Sequence, residues 1–261
     1  MLGITFGNAP GIGDRLQFAS FPENYYRNAG ERIIDLDHHW MFDHNPFIVR
    51  GETPTQVIDL WRQPWPRISP KEYFTKPVFF STADRTAAIF KHVAYLRHPR
   101  LYLYEDSPRI NNRVVLHTTG SRSARIQPEH GEDQARVLPD YIIDFVRKKY
   151  RSYDVIQVGS KDDVDAQVTD CRGLEDIWGT VRIIAQAAIF IGVDSGPAWI
   201  SACYPDVFKK KILVQYPPEF LRNSFVPMHI PSPNHHWHDF SHTYYNRSTD
   251  DAGVTYSYLK L

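Results

Sequence analysis

The chain has 261 residues, 42% of them hydrophobic and 23% charged, and its 30 Lys+Arg balance 30 Asp+Glu. Such a composition belongs to a globular protein, and a net charge of zero argues against a broad basic surface for nucleic acid. No apolar run reaches the roughly 18 residues of a membrane-spanning helix, the start Met1-Leu2-Gly3-Ile4 lacks the basic region and cleavage site of a signal peptide, and Cys171 and Cys203 are too few for a disulfide framework or a cysteine zinc site, so a cytoplasmic location is expected.

The chain opens with a strand pattern over Leu2–Phe6, followed by the loop Gly7-Asn8-Ala9-Pro10-Gly11-Ile12-Gly13 and a helical pattern from Asp14. Pro22 interrupts that pattern, with Ser20 as a candidate cap for a restarted helix. Arg32–Leu36 reads as a second strand, and Val57–Leu60 and Val78–Phe80 as shorter ones inside a region rich in Pro, Trp and His. Ala83–Leu96 has helical spacing. The polar stretch Ser107-Pro108-Arg109-Ile110-Asn111-Asn112 divides the chain into blocks of residues 1–110 and 111–261.

The second block alternates regularly. Val114–Thr118, Val155–Val158, Ile189–Val193 and Ile212–Gln215 read as strands, and Tyr141–Tyr150 and Ile177–Ala188 as helices. Strand–helix alternation is the mark of a parallel sheet covered on both faces, with ligands at the carboxyl ends of its strands. The junction Ile189-Phe190-Ile191-Gly192-Val193-Asp194-Ser195-Gly196-Pro197 carries the most information. An apolar strand stops at Asp194, and a helical pattern over Ala198–Tyr204 begins at once. Ser195 suits an N-cap, Gly196 admits close approach to the backbone, and Pro197 suits a first helical turn. Free N–H groups and the positive end of a helix dipole at such a turn can hold a phosphate. The plainer alternative is an ordinary capped strand–helix turn.

On these residues the chain resembles the heptosyltransferase family of glycosyltransferases. Four pieces carry the resemblance: Val114-Val115-Leu116-His117-Thr118-Thr119 with its basic residue and proline at Arg125 and Pro128, the strand Tyr153–Gly159, Arg172-Gly173-Leu174 leading into a helix, and Ile191–Pro197. Gly11-Ile12-Gly13-Asp14-Arg15-Leu16 resembles the family's first glycine–aspartate turn. The resemblance covers most of residues 110–216 and only about the first thirty of the N-terminal block. It implies two Rossmann-like domains with parallel sheets in the GT-B arrangement, the N-terminal acceptor-side domain being reduced. It implies transfer of a sugar from a nucleoside-diphosphate sugar, ADP-heptose in the family, to a hydroxyl of a cell-surface glycan such as lipopolysaccharide. No metal or other cofactor is expected, since the donor is itself a substrate. Peripheral contact with the inner membrane is compatible with such an acceptor, and the oligomeric state stays open.

Carried over residue by residue, the resemblance assigns the donor diphosphate to Asp194, Ser195 and Gly196, with further phosphate contacts from Thr118, Thr119 and Arg125. The alternatives are a hydroxyl-capped loop for the threonines and a solvated charge for Arg125, with Arg109, Arg113 and Arg122 nearby. Asp14 stands where the family places a general base, against the alternative that Asp before a helix is an N-cap. One departure is Trp199, which occupies the place where the family usually carries His and which cannot titrate.

The histidine-rich segments support a rival reading. Asp35, Asp37, His38, His39, Asp43 and His44 form one group, and His235, His236, His238, Asp239 and His242 another. Imidazole and carboxylate suit zinc or iron, which would make a metal-dependent hydrolase. Neither group carries a known ligand signature. A non-catalytic nucleotide-binding module would need no base at Asp14, and an interaction protein would bury Trp61, Trp65 and Trp237 against a partner.

Overall fold

The computed structural model describes residues 1–7, 11–16, 18–62, 90–93, 95–96, 99–103, 108–120, 137–138, 140–174, 176–193, 195–204 and 210–214, with the backbone alone at Asp14, Tyr141 and 210–214. The chain forms two compact units, Met1–Asp106 and Ser107–Leu261.

The first unit contains β1 (Leu2–Thr5), α1 (Ile12–Leu16), α2 (Phe21–Ala29), β2 (Ile33–Asp35), a 3-10 turn at Trp40–Phe42, β3 (Ile48–Val49) and β4 (Gln56–Asp59). The strands pair in parallel in the order β3-β2-β1-β4. Their apolar side chains, Leu2, Ile4, Ile33 and Ile34, join Phe6, Leu16, Phe18 and Phe42 in the core. Helix α1 begins at Ile12, so Asp14 lies inside its first turn rather than before it. Ser20 occupies the N-cap position of α2 but makes no side-chain cap bond. Pro22 falls in the first turn, where its missing N–H costs nothing. Gly30 closes α2 at φ 72, donating its N–H to the Tyr26 carbonyl.

One face of α2 is stitched to the segment at 90–103. Asn24 donates to the Leu96 carbonyl at 2.8 Å and accepts from its N–H at 2.7 Å. Asn28, one turn on, repeats the pattern with Val93 at 2.8 Å in both directions. Glu23, buried between them, accepts from Arg27, Tyr102 and Arg100. The helix expected over Ala83–Leu96 does not reach its expected end. Lys91 takes φ 54, and the described residues beyond it present backbone groups to α2 instead. The strand expected at Val78–Phe80 lies outside the described residues.

The second unit contains β5 (Ile110–His117), α3 (Asp140–Lys149), β6 (Asp154–Gln157), β7 (Thr169–Asp170), α4 (Ile177–Ala185), β8 (Ala187–Val193), α5 (Gly196–Ala202) and β9 (Lys210–Val214). The sheet is parallel throughout, in the order β7-β6-β5-β8-β9. All seven residues of β8 are buried, as a central parallel strand covered on both faces requires. Ala187 and Ala188, expected at the end of a helix, belong to this strand, and α4 stops at Ala185. Val114, Leu116, Ile142, Val146, Ile189 and Ile191 form the core under α3. Residues 110–112, expected as part of a linker, are the first part of β5. Both sheets thus have the doubly wound order in which the second and third strands lie on one side of the first and the fourth on the other.

Replacing Asn24 by Ala strips two backbone groups of Leu96 of their partners. The first unit should lose about 1–3 kcal/mol, read as a lower urea midpoint at unchanged slope. A loss under about 0.5 kcal/mol would mean that water replaces both bonds without penalty.

Candidate functional site

In a doubly wound sheet the strand order reverses beside the first strand, and the crevice there opens at the carboxyl ends. In the second unit that point lies between β5 and β8. β5 ends at His117 and β8 at Val193, with Ser195 two residues on, so the fold brings His117 and Ser195 together. The Ser195 Oγ is 2.9 Å from His117 Nδ1 and 3.1 Å from the Val193 carbonyl oxygen. Ser195 is the N-cap of α5, yet its side chain makes no cap bond. It turns back toward β5, which corrects the capping role expected from the sequence. The other imidazole nitrogen, Nε2, lies 3.4 Å from Asp163 Oδ2. That oxygen also accepts the Ser160 N–H at 3.0 Å.

Two glycines make room for this imidazole. A Cβ on Gly159, just beyond β6 and at φ 133, would lie 2.0 Å from Asp163 Oδ2 and 3.0 Å from His117 Cδ2. A Cβ on Gly192 would lie 3.1 Å from both His117 Cβ and its carbonyl oxygen. His117 is 3% exposed, with Gly192 of β8 on one side and Gly159, beyond the end of β6, on the other.

Thr118 and Thr119 continue from β5 and are buried. The Thr118 hydroxyl donates to the Val164 carbonyl at 2.7 Å and accepts from Gln157 Nε2 at 2.9 Å. The Thr119 hydroxyl accepts the Val164 N–H at 2.9 Å. Both therefore clasp the loop that follows β6. The Thr119 hydroxyl lies 3.4 Å from that of Thr118; since the Thr118 proton goes to Val164, Thr119 is the better placed of the two to donate elsewhere. Arg172, from the motif leading into α4, holds the same loop from its far side. It donates to the Asp163 carbonyl at 2.6 Å and to both oxygens of Asp170, at 2.8 and 3.1 Å. That pairing holds the Asp170 carboxyl well below the usual range. Gly196 opens α5 as its first residue. Asp194 and Arg125 lie outside the described residues.

Sequence reasoning passed over His117 and Asp163. The available signal for the first was a histidine closing an apolar strand directly before two threonines. Trp199 packs with 2% exposure, its backbone N–H bonded to Ser195 O and its carbonyl to Cys203 Sγ.

The first unit has its own strand-order reversal, between β1 and β4. Asp37 accepts from the Thr5 hydroxyl and the Phe6 N–H, both at 2.7 Å, and fixes the end of β1. Asp59, at the end of β4, accepts from the N–H groups of Trp61 and Arg62. The backbone of Asp14 is in α1; its side chain lies outside the described residues. The first histidine group is committed locally. Asp35 accepts the N–H groups of Asp37 and His39 while burial pushes its carboxyl up. His39 Nδ1 accepts from Met41 N–H, and Asp43 pairs with Arg50. Burial, with Arg15 adding repulsion, lowers the His39 imidazole to about 4. Among the described residues, no three His, Cys, Asp or Glu are grouped to hold a metal ion. The second histidine group, from His235 to His242, lies outside them.

Comparison with solved structures bears on the whole arrangement. The iron-containing dodecameric glycosyltransferase TibC from enterotoxigenic E. coli matches at TM-score 0.55 and 15% identity, over 97% of this chain and 65% of that one. A glycosyl transferase family 9 structure from Veillonella parvula matches at TM-score 0.55 and 10% identity, over 81% of this chain and 80% of that one. The chain has the fold of the heptosyltransferase-type glycosyltransferases. TibC described as a heptosyltransferase in complex with ADP-D-beta-D-heptose matches at TM-score 0.53 and 15% identity, over 97% of this chain and 65% of that one. The chain thus spans 65% of the length of TibC. No protein-family model and no curated protein sequence matches it. The α/β class with two Rossmann-like units, read from the residues and the resemblance, is the class of these structures.

Gly159→Ala should cost the second unit about 1–3 kcal/mol through its backbone conformation alone and displace Asp163 from His117. Gly51→Ala, also at positive φ but with nothing within 4 Å of the added methyl, is the control. Equal losses from the two would show that contact with Asp163 and His117 adds nothing.

The buried His39 gives a pH dependence of fixed sign. The unfolded chain binds this proton near 6.5 and the folded chain near 4. Its contribution is therefore full above pH 6.5 and is lost as pH falls toward 4. The loss is on the order of 3 kcal/mol at 1.36 kcal/mol per unit. Urea unfolding of wild type and His39→Gln across that window should show a flatter slope in the variant; parallel slopes would refute the assignment.

Proposed function

We propose that this chain is a glycosyltransferase that takes a nucleoside-diphosphate sugar as donor and a glycan hydroxyl as acceptor. The observation that carries the reading is the Ser195 hydroxyl at the strand-order reversal of the second unit, turned away from helix capping and toward His117. A polar group spent on capping would be closed to a ligand; this one stands where parallel sheets bind nucleotides. The likeness to TibC and to the family 9 structure supports the reaction class, and the described complex of TibC with ADP-D-beta-D-heptose supports an ADP-linked donor.

The chemistry asks for stabilisation of the departing diphosphate and removal of the acceptor proton. Ser195, Gly196 and Asp194 form the turn proposed to receive the diphosphate. Thr119 is proposed to contribute a hydroxyl contact to the phosphate, and Thr118 acts by fixing the loop at Val164. Arg125 is proposed as a bidentate phosphate ligand and Asp14 as the general base. Neither the iron nor the dodecameric assembly of TibC enters the proposal, which needs no metal at the phosphate turn. A lipopolysaccharide acceptor and a cytoplasmic site of action complete the reading. No helix among the described residues is long and apolar enough to cross a membrane.

Thermal unfolding with ADP, UDP, GDP and CDP in turn tests the donor. The matching nucleotide at one hundred times its dissociation constant adds about 2.7 kcal/mol, and Ser195→Ala should reduce that shift. If none of the four moves the transition, the nucleotide reading fails. Asp14→Asn should keep nucleotide binding and slow sugar transfer by about 10²–10⁴-fold; unchanged slow turnover in both forms would leave a binding module rather than an enzyme.

A further inference from the structure

At the β5–β8 junction no neutral imidazole both keeps a proton toward Asp163 and leaves the Ser195 proton free for a ligand. Ser195 has one hydroxyl proton and two acceptors in reach, the Val193 carbonyl oxygen at 3.1 Å and His117 Nδ1 at 2.9 Å. If the imidazole is neutral with its proton on Nε2, that nitrogen donates toward Asp163, and Nδ1 claims the serine proton. The hydroxyl then has nothing left to offer a ligand. If the single proton sits on Nδ1, the hydroxyl is free, but the bare Nε2 faces the Asp163 oxygen at 3.4 Å, acceptor against acceptor. Only the imidazolium keeps a proton on Nε2 facing Asp163 while it frees the Ser195 proton for a ligand. Nδ1–H then donates to Ser195 Oγ, Nε2–H faces the Asp163 carboxylate at 3.4 Å, and the serine proton is released to Val193 or to an incoming oxygen.

We propose that His117, oriented by Asp163, is a positioning residue that takes up a proton when a diphosphate group binds, and so turns the Ser195 hydroxyl into a donor to it. The inference rests on the reading of this turn as a nucleoside-diphosphate site and names the group that makes Ser195 competent there. Among the described residues against His117, Asp163 supplies the carboxylate; Gly159 borders the ring and Gly192 its Cβ without side chains, and Ser160 contributes an N–H to Asp163. Asp163 is itself held through its carbonyl by Arg172, so the orienting group sits on a pinned loop. The imidazolium charge is paired with Asp163, so its effect on the ligand runs through the Ser195 hydroxyl.

The test is calorimetric titration of the full chain with ADP, UDP, GDP and CDP in turn, and with inorganic pyrophosphate as the bare anion. Each is run near neutral pH in two buffers of different ionisation enthalpy. Wild type should take up a fraction of a proton on binding. His117→Asn, which can keep a donor toward Ser195 without titrating, should lose the protein's share of the uptake and show only the proton exchange of the ligand's own phosphate. His117→Ala should bind about tenfold or more weakly, as befits loss of a charge-assisted hydrogen bond. His117→Ala combined with Ser195→Ala should bind no more weakly than Ser195→Ala alone, because the imidazole acts through that hydroxyl. Urea midpoints of all variants separate lost binding from lost folding. Equal proton exchange in wild type and His117→Asn, or additive losses in the double variant, would overturn the relay and leave the nucleotide site standing. Failure of every nucleotide and of pyrophosphate to bind wild type would overturn the site reading and the relay with it.

Discussion

Parallel pairing of β5 with both β6 and β8 is the constraint from which the site follows. Val114, Val115 and Leu116 are matched to Val155, Ile156 and Gln157 on one side and to Ile189, Phe190 and Ile191 on the other. This register brings the carboxyl ends of three strands to one edge. A one-residue slip would exchange the buried and opposite faces of β5. It would also turn His117 away from Ser195. The apolar side chains of β8 and α3 oppose that slip, since Ile189 and Ile191 pack with Ile142 and Val146 in one core. A core of ordinary aliphatic residues therefore fixes the position of a polar group at its rim.

The polar layer beyond that rim has its own logic. Gln157 closes β6 fully buried, and its side-chain amide is used at both ends. It donates to Thr118 Oγ1 and the Val164 carbonyl and accepts the Ala166 N–H at 2.8 Å. A buried amide left unpaired would cost several kcal/mol at the upper end of transfer scales, and here it organises the loop instead. The same loop carries Asp163, whose side chain turns to His117 while its carbonyl accepts from Arg172. Arg172, Asp163, His117 and Ser195 thus form a continuous series of polar contacts along the carboxyl edge of the sheet.

The sheet was legible where apolar runs were long. Ile189–Val193 and Val114–Leu116 are continuous aliphatic and aromatic stretches that only a doubly covered strand uses so freely. Short edge strands were not legible, because Ile48–Val49 and Thr169–Asp170 are two residues each and show no period. Ala187 and Ala188 fit helix or strand equally by size, and pairing with β5 decides between them. At the site, sequence reasoning identified the turn but not the direction of its side chain. Serine at an N-cap is favoured because it accepts a local N–H, yet an imidazole arriving from a strand 78 residues away in sequence competes for the same oxygen. That is a tertiary contact with no local signature.

Position 199 shows how the difference from the family pattern is accommodated. The resemblance places a histidine there, but the chain carries Trp199, whose bulk is buried on α5. A residue that fills the core from that position gives no titratable group to the turn. His117 approaches the same turn from β5, and the glycines at 159 and 192 leave it the width of a ring. A Cβ at 159 would overlap Asp163 at 2.0 Å, and one at 192 would crowd the His117 Cβ and carbonyl oxygen at 3.1 Å. The imidazole beside Ser195 is thus secured by what its two neighbouring strands omit as much as by the carboxylate that faces it.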